Sequence, residues 1–233
     1  MTDKALAIAA FGARGTGKTA FILQYIKRTA PPRLAVWDFK HDPSLVKLGK
    51  PFTDLKAFIL AMRSPGFQIR YLPDHTKDMQ KQFDVFCKAC WTASRLTMFV
   101  DELPEVTKAG RAPPTWRRCV NVGRLYTAPD GQEGWLSIIG VGQRAAETDK
   151  SFTSNCDIVH CGRLSHGDDA KDMCKVLGCT AKELMTLPDL HWIERRVGAI
   201  EPERGILSFT GSKKVEKTLL VPVPKKTASR RTA

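Results

Sequence analysis

The sequence contains no apolar run approaching the ~20 residues that a helix needs to cross a bilayer, so no membrane span of its own is expected. Nor does it open with a signal peptide. Met1-Thr2-Asp3-Lys4 leads straight into an apolar run with no cleavage pattern, and a cytoplasmic location is expected. No internal repeat is present, which argues against repeat architectures. The seven cysteines are odd in number and do not form a secreted disulfide framework, so reduced thiols are expected. Cys87 and Cys90 form a lone C-x-x-C, with no second C-x-x-C or H-x-x-x-H nearby to complete a tetrahedral zinc site. The pair lies in Phe83–Ser94, which reads as a buried helix, and core packing is the simpler role. Cys156 and His160-Cys161 could join such a site only through the fold.

Acidic residues are scarce: 24 against 37 Lys and Arg, a net charge of +13 that favours a polyanionic partner such as nucleic acid. Residues 211–233 hold seven basic residues and one acid, or +6, so the rest of the chain carries +7. This predicts one domain over residues 1–210 and a basic, flexible C-terminal tail over 211–233.

Strand-like apolar runs alternate with helical patterns, the signature of an α/β fold with a mostly parallel sheet flanked by helices. Predicted strands are Ala5–Phe11, Leu34–Phe39, Gln68–Leu72, Leu96–Val100, Leu136–Val141, Asp157–Leu164 and Gly205–Thr210. Predicted helices are Lys18–Arg28, Thr53–Met62 with Thr53 as N-cap, and Thr76–Ser94. His41–Ser44 reads as a turn, and Ala109–Pro114 and Thr127–Gly134 as loops rich in Gly, Pro and Asp.

Gly12-Ala13-Arg14-Gly15-Thr16-Gly17-Lys18-Thr19 fits G-x-x-x-x-G-K-[ST] at every position. The glycines let the backbone wrap with its N–H groups pointing at phosphate oxygens, and the following helix adds its positive end. Lys18 can reach the β- and γ-phosphates of ATP, and Thr19 offers a hydroxyl to Mg²⁺. The pattern follows an apolar strand and opens a helix, the context that makes it a nucleotide site. Thr97–Glu102 looks like the acidic partner (Walker B): a buried strand ending in two carboxylates. Asp101 is placed to hold Mg²⁺ and Glu102 to polarise the attacking water as general base.

Val100-Asp101-Glu102 together with Val141-Gly142-Gln143-Arg144 resembles the FtsK–HerA superfamily of P-loop ATPases, whose fold is RecA-like. The small size is similar to that of the genome-packaging ATPases of tailless, membrane-containing viruses. The resemblance runs from about residue 5 to 165. It implies that Gln143 senses the γ-phosphate from between the phosphate-binding and acidic strands. It also implies that an arginine ahead of the Gln-bearing strand reaches the neighbouring subunit's nucleotide. Arg124 is the best match, with Arg117 and Arg118 behind it and Arg163 as a rival. The stretch from Arg124 to Gln143 is longer than the family's usual tight connection.

The function so implied is ATP hydrolysis coupled to translocation of double-stranded DNA, filling a viral capsid. The expected partners are a homo-oligomeric ring of five or six members and capsid or portal-vertex proteins, in the host cytoplasm and on the virion. Two alternatives are an extrusion ATPase of the zonula occludens toxin-like type, which usually carries a membrane span, and a P-loop small-molecule kinase or nucleotide switch.

Overall fold

A computed structural model describes residues 5–108 and 110–208 and the backbone of 220–222. In chain order the elements begin β1 (Ala7–Phe11), α1 (Lys18–Thr29), β2 (Arg33–Trp37), β3 (Lys50–Phe52), α2 (Leu55–Ala61), β4 (Phe67–Tyr71) and α3 (Met79–Ala93). They continue β5 (Leu96–Val100), α4 (Leu103–Val106), α5 (Pro114–Val122), β6 (Tyr126–Thr127), β7 (Glu133–Gly134), β8 (Leu136–Gly142), α6 (Lys150–Asn155) and β9 (Ile158–Cys161). Last come α7 (Gly167–Leu177), α8 (Ala181–Thr186), β10 (His191–Arg196), β11 (Glu203–Leu207) and β12 (Leu220–Pro222). Short 3₁₀ helices occupy Pro43–Leu48 and Ala145–Glu147.

The main sheet has the order β12-β11-β10-β9-β1-β8-β5-β2-β4-β3. Neighbours from β9 to β3 are parallel, and β10, β11 and β12 extend the sheet antiparallel. The expected mostly parallel α/β sheet is therefore present.

Both faces of the central strands are buried, and alternate residues serve two cores. Ala7, Ala9 and Phe11 with Ala35, Trp37, Met98 and Ile138 face α2, α3 and α5 to α8. Ile8 and Ala10 with Val36, Phe99, Ile139 and Val141 face α1 through Phe21, Ile22 and Ile26. Trp37 meets Phe83 and Phe86 edge-on at 5.0 and 5.4 Å, the geometry ring quadrupoles favour.

Several predicted boundaries move for local reasons. The helix expected from Thr53 begins at Leu55, because Asp54, not Thr53, accepts from the Ala57 N–H at 2.8 Å. The helix expected from Thr76 begins at Met79, with Asp78 accepting from Lys81 N at 3.0 Å. The His41–Ser44 turn leads into the 3₁₀ helix, and Asp42 caps it. The loop Ala109–Pro114 ends where α5 starts, with Pro114 at the N-terminal position proline tolerates. Thr127–Gly134 is not an open loop. It forms the β6–β7 hairpin, held down by Tyr126 stacked on Trp91 at 3.8 Å and by an Arg95–Asp130 ion pair. This hairpin accounts for the long connection between Arg124 and Gln143. Of the predicted tail, only the β12 backbone is described; the rest of 211–233 lies outside the described residues.

Candidate nucleotide site

Parallel packing brings the C-terminal ends of β1, β8 and β5 to one edge, and each ends in a residue singled out from sequence. Phe11 of β1 is in register with Gly142 of β8, and Val100 of β5 with Gly140. The loop 12–17 therefore leaves β1 beside Gln143, and Asp101-Glu102 leave β5 on the other side of it. The Gln-bearing strand lies between the phosphate-loop strand and the acidic strand, as the resemblance implied.

The phosphate loop is braced by the end of β9. Gly162 N donates to Phe11 O at 2.9 Å and Ala13 N to Arg163 O at 2.7 Å. Gly17 caps α1 with φ 94°, a left-handed conformation, and a Cβ there would come within 2.7 Å of Leu207. No side chain caps α1 and no acid lies in its first turn, so the helix presents open N–H groups and its positive end to the loop. Lys18 curls back over the loop, with Nζ donating to Ala13 O at 2.8 Å. Burial lowers its pKa, while the nearby Glu102 carboxylate opposes that shift. Thr16 Oγ1 donates to the same carbonyl at 2.9 Å, Thr19 is half-buried in the first turn of α1, and Arg14 is exposed.

Asp101 is buried, and its Oδ2 atom has no hydrogen-bond partner among the described residues. Burial first, then the charge of Glu102, pushes its pKa up to about 7. An orphaned carboxylate oxygen at a strand end opposite a phosphate loop is a fit for a divalent cation, which would supply the missing partner. Glu102 sits at φ 47°, uncommon for a non-glycine residue, at the start of α4. Its carboxylate accepts from Gln143 Nε2 at 3.2 Å and forms an ion pair with Lys40. The turn into α4 lies over β8 at Gly142, where a Cβ would come within 2.6 Å of Pro104. A glycine at 142 is thus what lets the acidic turn approach the glutamine.

Lys40 was not foreseen from sequence. It follows β2, the strand beside β5, and the only hint was a polar run at a strand end on the same edge. Its loop is fixed from below: buried Asp38 pairs with buried Arg70 and accepts from Asp42 N at 2.8 Å. Arg144, after Gln143, is held by the buried Asp169 at 2.8 Å. Ala13, Arg14, Lys40, Glu102, Gln143 and Arg144 help line a cleft of about 370 Å³.

The arginine candidates separate. Arg163 lies beside its own chain's phosphate loop, paired with Asp189 at 2.7 Å. Arg124 is not brought to this edge. It pairs with Asp157 at 2.8 Å and donates to Asn155 O at 2.7 Å, at the opposite ends of β1 and β9. Arg117 donates to Gly110 O at 3.3 Å, and Arg118 lies 4.3 Å from the Trp91 ring centre. Cys87, Cys90 and Cys119 are buried in the core, where burial raises the Cys87 and Cys90 thiols well above their usual range.

The fold is shared with solved structures. The chain matches the genome-packaging NTPase B204 from Sulfolobus turreted icosahedral virus 2, bound to AMPPCP, with a TM-score of 0.67. That match is 16% identical and covers 86% of this chain and 96% of that one. This chain has the P-loop NTPase fold. The P-loop NTPase arrangement recurs in the bacterial conjugative coupling protein TrwBdeltaN70, at TM-score 0.60 and 11% identity, covering 92% and 88% of the two chains. In sequence, the chain is 24% identical over 208 residues to Protein P9 of Pseudoalteromonas phage PM2, covering 85% of this chain and 88% of that protein. No protein-family model matches. The P-loop NTPase fold read from the motifs is borne out by these likenesses, and one of the matched structures is that of a viral genome-packaging NTPase.

Proposed function

We propose that this protein hydrolyses ATP and couples hydrolysis to translocation of double-stranded DNA, packaging a viral genome. The observation that carries the reading is the convergence of Lys18, Asp101, Glu102 and Gln143 at one edge of the sheet, with β8 between β1 and β5. The B204 match adds support, because B204 is a genome-packaging NTPase solved with AMPPCP and with ATP-gammaS. The net charge of +13 suits a partner recognised through its phosphates.

In this reading the backbone of residues 12–17 and the start of α1 cradle the phosphates, and Lys18 turns from Ala13 O to the transferring group. Thr19 and Asp101 would hold Mg²⁺, which when bound neutralises phosphate charge. Glu102 takes the proton of the attacking water once released from Lys40, and Gln143, already bonded to Glu102, relates the base to the γ-phosphate. Arg124 or Arg163 acts on a neighbouring subunit's nucleotide in a homo-oligomeric ring of five or six. Arg124 must leave Asp157 to do so, whereas Arg163 must leave Asp189. Among the described residues no helix is long and apolar enough to cross a membrane. Capsid or portal-vertex proteins are the proposed anchor, in the host cytoplasm and on the virion.

The test is the ATPase rate with and without long duplex DNA. Strong stimulation supports the translocase. Saturation by a small phosphate acceptor, with no response to DNA, points to a kinase instead and sinks the motor.

A further inference from the structure

The N-terminal end of the sheet carries a second concavity that the nucleotide reading does not use. It is a groove of about 640 Å³ between α2 and α3, closed by the starts of β2 and β5. Its apolar part comprises Met62 and Ala89, buried, with Ile59 and Val85 at 37% and 39% exposure. Its charged part is of one sign: Arg33, Arg63, Lys88 and Arg95, with no acid in the lining. Arg63 and Lys88 are exposed and have no carboxylate partner among the described residues. Arg33 donates only to carbonyls, Ser94 O at 2.9 Å and Met62 O at 3.3 Å, and its buried Nε has no partner. Arg95 reaches Asp130 on the β6–β7 hairpin. Burial and the charge of Arg95 both lower the Arg33 pKa, so the two guanidinium groups disfavour one another in the unliganded groove.

We propose that this groove docks an acidic amphipathic helix of a second protein, whose apolar face covers Ile59 and Val85 while its carboxylates meet Arg33, Arg63 and Lys88. Charge complementarity selects the occupant. The chain's own segment 211–233, with seven basic residues and one acid, is repelled from a cationic groove. Duplex DNA matches the charge but not the apolar floor, since phosphate contacts gain nothing from Ile59 or Val85. The site lies at the opposite strand ends from the phosphate loop, so a partner bound here leaves the nucleotide edge open. The proposal supplies a chemistry for the anchoring partner proposed above and is tested separately from hydrolysis.

The experiment uses the full chain and a labelled Glu/Leu amphipathic peptide of about five helical turns, read by fluorescence anisotropy. Arg63→Glu with Lys88→Glu should weaken binding by more than about tenfold, because two attractive contacts become repulsive. The same charge change on α7, Lys171→Glu with Lys175→Glu, should alter it less than about twofold. Val85→Ser should also weaken it, and a scrambled peptide of identical composition should bind poorly. Unchanged melting temperature and ATP hydrolysis in the groove variants confirm that they fold. Equal binding of the scrambled peptide, or an equal loss in the α7 variant, overturns the proposal in favour of unspecific charge attraction. So does displacement of the peptide by duplex DNA from the groove, or a groove variant that changes the sedimentation of the chain alone. Failure of the unaltered chain to bind the peptide while it hydrolyses ATP overturns this inference only. Peptide binding intact in a protein that never hydrolyses ATP overturns the nucleotide reading only.

Discussion

The two ends of the central strands, about 15 Å apart for five-residue strands, are built on opposite principles. At the C-terminal end, charges are left incompletely satisfied: Asp101 Oδ2 has no partner, Glu102 holds a left-handed backbone, and Lys18 is bonded only to a carbonyl of its own loop. At the N-terminal ends of β1 and β9, charges are closed off: Asp157 accepts from Ala7 N at 2.8 Å and from Arg124 at 2.8 Å. At the open end Asp101 Oδ2 is left without a protein partner although Glu102 is paired with Lys40 and Gln143, while at the closed end the groups that fasten the sheet are paired. The difference is what the proposed chemistry at one end and mechanical closure at the other require.

The largest effect expected is at the open end. Lys18→Ala should abolish hydrolysis, since it removes the charge aimed at the transferring phosphate; normal turnover would sink the nucleotide site. Glu102→Gln should retain Mg·ATP binding, measured by equilibrium titration, and turn over at least ~10²-fold more slowly. Joint loss of binding and turnover would make Glu102 a metal or structural group instead.

Asp101→Asn sharpens the comparison by separating function from stability. Its raised pKa of about 7 means the folded protein holds a proton that the unfolded chain, near 3.8, has released between those values. Its contribution to stability is therefore full below about pH 3.8 and lost as pH rises towards 7. Asp101→Asn should accordingly raise the melting temperature at pH 8 by roughly 5 °C, raise it less at pH 5, change it little at about pH 4, and lose Mg²⁺-dependent ATP binding. An unchanged melting temperature at pH 8 would show that Asp101 is not held as an isolated buried carboxylate.

The smallest effect is at the closed end. Arg124→Ala breaks a half-exposed ion pair and should cost about 1 kcal/mol, a shift of ~2–4 °C. If Arg124 also serves a neighbour's nucleotide, the variant hydrolyses slowly with ATP affinity retained, and mixing it with Lys18→Ala restores part of the activity. Stability lost without any change in turnover would leave Arg124 as a fastener and move the finger to Arg163.

Residues whose chemistry is local were readable. The phosphate loop needs glycines, a lysine and a hydroxyl at set spacing, and the strands at Leu96–Val100 and Leu136–Gly142 are apolar runs bounded by turn residues. Helices α5 to α8 were not predicted, because their short amphipathic patterns are stabilised by docking on the sheet rather than by propensity. The β6–β7 hairpin was masked by the Gly, Pro and Asp residues that form its turn.

The sequence by itself therefore determined the nucleotide loop, the acidic pair and the parallel α/β class, each specified by residues a few positions apart. The order β9-β1-β8-β5-β2 was not written in any such window, since strand neighbours are chosen by which faces bury together across long separations. That order alone puts Gln143 between Lys18 and Asp101, brings Lys40 from β2 onto Glu102, and leaves Arg124 at the far end against Asp157. Charge pairing depends on distances of a few ångströms between residues as far as 62 positions apart, and only tertiary packing sets those distances.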